Sequence, residues 1–140
     1  MAFEERQLPS NRDTVAPDGS DVRILCALAG GSLVHITLDA GQCSVAVRHR
    51  TVEEIWYFLS GTGEMWRGRG SVESVVSTEP GLSLTIPRDT RFQFRAGPDA
   101  PLVAVGFTAP PWPGDGEAIA VTGRWPPTVA PGPGLANEPA

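Results

Sequence analysis

The sequence predicts an all-β domain, either a sandwich or a barrel. Three observations predict it. Ten strand-length runs rich in Val, Ile, Leu, Thr, Phe and Trp follow one another along the chain. Turn signals bound the runs, among them Gly30-Gly31, Gly61-Thr62-Gly63, Glu79-Pro80-Gly81 and Gly97-Pro98-Asp99. No segment combines a helical spacing of apolar residues with end caps. Short strands at regular spacing pack as a sandwich or close into a barrel.

Residues 1–21 come first, polar in character, and read as an N-terminal arm, either packed on the outside or partly loose. The runs then cover 22–29, 32–39, 43–49, 54–59, 63–66, 72–77, 82–86, 91–95, 102–108 and 117–121. Side chains two apart on a strand share a face. Val45, Val47 and His49 therefore point one way, as do Glu54, Trp56 and Phe58, and as do Phe92 and Phe94. Arg48, Arg50, Arg91 and Arg95 fall on the opposite face and are expected to pair with acids. Ile55, Tyr57 and Leu59 make the outer face of their strand unusually apolar, which suits burial against a second subunit. The barrel is expected to span 22–108. Proline dominates from Ala109 onward, so 109–125 reads as a strap packed on the barrel and 126–140 as a disordered tail.

Composition narrows the function classes. The 140 residues suit one domain, and 41% hydrophobic with 19% charged residues is globular rather than disordered. A net charge of −5 offers no footprint for a nucleic-acid backbone and opposes anionic membrane surfaces. All 11 basic residues are arginine, which excludes a Schiff-base lysine, a phosphate-loop lysine and a Ser–Lys pair. Cys26 and Cys43 are too few for a disulfide scaffold and are not closely spaced, as expected of packed thiols in a reducing compartment. The N-terminus lacks a signal-peptide pattern, and no apolar run approaches the ~20 residues of a membrane span. The expectation is a soluble, cytoplasmic protein.

One frame carries chemistry. Gly41 is followed after five residues by Val47, Arg48 and His49; Glu54 and Gly61 then follow after gaps of four and six. Downstream, Gly81 precedes Pro87 by the same gap of five, with Asp89, Phe92 and Ala96 at fixed spacing beyond. This frame resembles the two motifs of the cupin superfamily, G-x5-H-x-H-x4-E-x6-G and G-x5-P-x-G-x2-H-x3-N. The resemblance covers roughly residues 22–108. It implies a double-stranded β-helix, a jelly-roll barrel with the motif side chains inside, and homodimerisation through a sheet face. The run Ala109-Pro110-Pro111-Trp112-Pro113-Gly114 is similar to a segment of small cupins described as mannose-6-phosphate isomerase-like, a label that concerns fold and not activity.

In metal-binding cupins four interior positions ligate the ion. They fall here on Val47, His49, Glu54 and Phe92, so two ligands remain and two are apolar. The family Gly of the second motif is Asp89 and its Asn is Ala96. Stable sites take three or more protein ligands, so the residues favour a site without a cofactor. A divalent ion (Fe, Mn, Ni or Zn) stays open as the alternative at His49 and Glu54.

The expected site is an aromatic pocket for a small-molecule ligand, shaped by Val47, Trp56, Phe58, Phe92 and Phe94, with His49 and Glu54 inside. Three readings stand side by side. His49 acts as general acid/base with Glu54 orienting it, in an isomerase, cyclase or lyase type of proton transfer. Alternatively, the pair satisfies itself in a pocket that only binds or senses a ligand. The third is a metal-dependent dioxygenase or isomerase. A metal-free sugar-nucleotide epimerase fits less well, because the sole tyrosine, Tyr57, points outward. The facing of His35 and Cys43 is left open by the pattern.

Overall fold

The computed structural model describes residues 2–139 and contains no helix among them. Eleven strands run in chain order: β1 Thr14–Val15, β2 Asp21–Leu28, β3 Gly31–Leu38, β4 Val47–His49, β5 Glu53–Ser60, β6 Gly63–Arg69, β7 Val72–Thr78, β8 Ser83–Ile86, β9 Arg91–Ala96, β10 Leu102–Ala109 and β11 Ala118–Ala120. They form two antiparallel sheets, a six-stranded one in the order β1-β2-β3-β10-β5-β8 and a five-stranded one in the order β11-β4-β9-β6-β7.

The period-two pattern decides which face is covered. Along β5, Glu54, Trp56 and Phe58 are buried while Glu53, Ile55, Tyr57 and Leu59 are exposed. Trp56 pairs across to Leu84 on β8 and Gly106 on β10, so apolar side chains meet on one surface of the sheet. Val47, Phe92 and Arg67 form the matching row of the second sheet, with Phe94 opposite Met65. Between the sheets lie Leu38, Val47, Trp56, Phe58, Met65, Ile86, Phe92 and Phe94, all almost fully buried. Burial of each such side chain stabilises the fold by about 1.5–3 kcal/mol.

Two strands differ from the sequence expectation. The run 43–49 is regular only from Val47, because Ser44 and Val45 spend their backbone donors on Phe94 and Asp18. Within the arm, Thr14–Val15 joins the sheet as β1, opposite Val22 and Asp21.

The stretch expected to be a disordered tail is docked, a correction that covers 126–139; residue 140 lies outside the described residues. Composition alone missed the anchors. Thr128 exchanges hydrogen bonds with Cys43, and Ala136 with Ala118 and Ala120. Gly132 donates to the Ala16 carbonyl at 3.0 Å, and a Cβ there would collide with the Val15 and Ala16 oxygens. Glu138 takes two bonds from Arg48. The central anchor is Gln93, fully buried on the outward phase of β9. Its amide nitrogen donates to the Ser44 and Trp125 carbonyls, and its oxygen accepts from Arg124 and Trp125.

Candidate functional site

His49 ends β4 and Glu54 lies just inside β5, so the intervening turn sets their approach. Glu117 fixes that turn. Its carboxylate accepts from the Thr51 and Val52 amides at 2.8 and 3.0 Å and from the Thr51 hydroxyl at 2.6 Å. Burial pushes the Glu117 pKa up, but these bonds and the nearby His49 outweigh it and leave the pKa lowered. Asp89, at the position of the family glycine, holds a left-handed backbone with φ of 65°. Its amide donates to the His49 carbonyl, and its carboxylate pairs with Arg48 at 2.8 Å. Aspartate tolerates that conformation better than most residues.

His49 Nδ1 lies 3.0 Å from Glu54 Oε1, both side chains being buried. The approach is bent out of straight hydrogen-bond geometry, so charge attraction, which needs no alignment, carries the contact. Burial alone would lower the His49 pKa. The Glu54 charge and contact, followed by Asp18 and Glu117, reverse that and raise it. Phe92 and Trp112 meet the imidazole edge-on, at centroid distances of 5.2 and 4.9 Å. Nε2 makes no hydrogen bond among the described residues.

A cavity of about 430 Å³ opens beside the pair. His49, Glu54 and Trp56 contribute to its lining. The other walls come from β2 and β3, from 14–18 of the arm, from Pro111, Trp112, Gly114 and Asp115 of the strap, and from Pro133. The register of β2 slips between Ile24 and Ala27, and this irregular stretch lines the cavity.

The structure divides the residues expected to shape the pocket. Trp56 lines the cavity, whereas Val47, Phe58, Phe92 and Phe94 do not and are packed in the core instead. The physical reason is volume: four apolar side chains and Met65 fill the barrel centre, and the open space lies towards the arm and strap. Phe92 still touches the site through the His49 ring. His35 faces outward on β3, opposite Arg23 and Val105, and burial and Arg23 lower its pKa. Cys43 is buried under Gln93 Nε2 and lies outside the cavity.

Sequence reasoning missed Asp18. It is 7% exposed, lines the cavity, and accepts both the Ser20 amide and hydroxyl on Oδ1. Burial raises its pKa, against the lowering pull of Ser20 and His49. The only sequence signal was an acid in a Pro-Asp-Gly-Ser turn.

The residues present do not fit the four-ligand ion site of the family. Val47 and Phe92 sit opposite each other at two ligand positions, and the two remaining donors face one another. Among the described residues, no group of three His, Cys, Asp or Glu is placed to hold an ion. Among the described residues, no helix is long and apolar enough to cross a membrane.

No protein-family model matches the sequence, and no curated protein matches it. Solved structures do. Streptomyces PAC13, solved as a variant with uridine, is 13% identical with a TM-score of 0.67, over 87% of this chain and 92% of that one. Ectoine synthase from P. lautus is 18% identical with a TM-score of 0.62, over 80% and 79%. An uncharacterized conserved protein with a double-stranded β-helix domain from Klebsiella pneumoniae is 20% identical with a TM-score of 0.55, over 73% and 81%. With two antiparallel sheets closed around the core described above, the fold of this chain is the cupin double-stranded β-helix.

Proposed function

We propose that the chain is a small-molecule-binding cupin whose cavity carries a proton-transfer site. The observation that carries this reading is the buried His49–Glu54 contact at 3.0 Å on the wall of a largely apolar cavity. Glu54 holds Nδ1 and leaves Nε2 as the proton-carrying atom. Nε2 removes a proton from a ligand carbon beside a carbonyl and returns it at a neighbouring atom. The imidazolium formed in between is stabilised by the Glu54 carboxylate. Such a transfer serves an isomerase, cyclase or lyase and needs no ion.

A hydrophobic ketone such as tetralone tests the reading. Incubated with the protein in D2O, it should gain deuterium beside its carbonyl faster than in buffer, and His49→Gln should abolish the gain. If His49→Gln exchanges as fast as the parent, the proton-transfer reading falls.

The same reading takes the protein as a cytoplasmic homodimer. Ile55, Tyr57 and Phe107 lie side by side on the outer face of the six-stranded sheet, each more than two-fifths exposed. That apolar surface supports coverage by a second copy.

A further inference from the structure

We propose that the cavity selects a hydrophobic amine, whose ammonium group is held by Asp18. The inference rests on the reading of the cavity as a ligand site and adds the chemical class of its ligand. No arginine lines the cavity, and the chain has no lysine. Its acids are Asp18, Glu54 and Asp115, and its one basic group, His49, is already engaged by Glu54. An anion entering this space would meet carboxylates without a free countercharge.

Asp18 is built to receive a cation. It is more than nine-tenths buried, and Ser20 occupies only Oδ1. Oδ2 makes no hydrogen bond among the described residues. Burial presses the carboxyl towards its neutral form, and an ammonium beside it restores the charge. Trp112 and Trp56 line the same cavity, and aromatic rings attract a desolvated cation.

Three probes on one skeleton test the charge preference: naphthylethylamine, naphthylethanol and naphthylacetate. Calorimetric titration of the full chain should give the amine a Kd roughly tenfold below the alcohol, with the carboxylate weakest. Asp18→Asn keeps the acceptor for Ser20 and should erase the advantage of the amine. Comparison of the three probes on the parent protein needs no variant, so a poorly folded Asp18→Asn leaves the test intact. The proposal is overturned if the carboxylate matches the amine, if the variant binds the amine as tightly as the parent, or if no probe binds. His49-dependent deuteration of the ketone alongside any of these results shows that only the charge assignment failed.

Discussion

The Trp112 ring meets the His49 imidazole edge-on at 73°, which makes a strap residue one wall of the site. The Trp112 amide also donates to the Ser32 hydroxyl, so the strap is tied to β3. Trp112→Ala should weaken probe binding in the cavity and cost about 2 kcal/mol of stability. Calorimetric titration and urea unfolding check both; unchanged affinity would remove Trp112 from the site.

Stability should depend on pH through His49 and Asp18. The His49 pKa is raised in the folded state, so its contribution is complete below the ordinary histidine value of ~6.5 and is lost as pH rises through the raised value. The Asp18 pKa is raised too, so stability falls as pH climbs from ~3.9 through its folded value. Glu117 acts in the opposite direction, losing its contribution as pH falls through its lowered pKa. Urea unfolding across pH should therefore show a decline above ~6.5 that His49→Gln flattens. Asp18→Asn should remove the decline that begins lower. Parallel curves for parent and variants would contradict the assignment.

Gln93 should prove more sensitive than an outward-phased polar residue on a strand normally is. Gln93→Ala strips partners from the Ser44 and Trp125 carbonyls and from two amides of the C-terminal segment. A loss of about 2–3 kcal/mol is expected. Hydrogen exchange offers a second check: the Thr128 and Ala136 amides should be protected in the parent and exchange early in the variant.

Asp89 separates conformation from charge. Asp89→Gly should change stability little, because glycine accepts the left-handed backbone as it loses the Arg48 pair. Asp89→Val should cost about 1–2 kcal/mol more than Asp89→Gly. Thermal unfolding of the two variants decides; equal losses would show that the backbone imposes no such demand.

For the proposed dimer, Tyr57→Glu places a charge in the middle of the apolar outer face. Sedimentation should show the parent as a dimer and the variant as a monomer with the same far-ultraviolet circular dichroism. A monomeric parent would overturn the dimer.

Much of this was legible in the residues. Alternation along 54–59 gave the facing of Glu54, Trp56, Phe58 and Tyr57, because one covered sheet face imposes a period of two. The motif frame brought His49 and Glu54 together across a turn. What escaped has a common physical cause: it depends on contacts between distant segments. Thr14–Val15 becomes a strand only because Val22 and Asp21 offer an edge. Gln93 is buried only because 124–125 folds over it. Asp18 enters the site only because the arm crosses the cavity. The proline-rich end looked loose because its order comes from Cys43, Ala16 and Arg48, none of them near it in sequence.

Asp18 and Pro133 border the same space from opposite ends of the polypeptide. The cavity is therefore assembled only once both segments have settled against the barrel. A bound molecule would act as a tether between them, so occupancy should slow proteolytic trimming at both ends together, and a bulky fusion at either end would disturb binding before it disturbed the barrel.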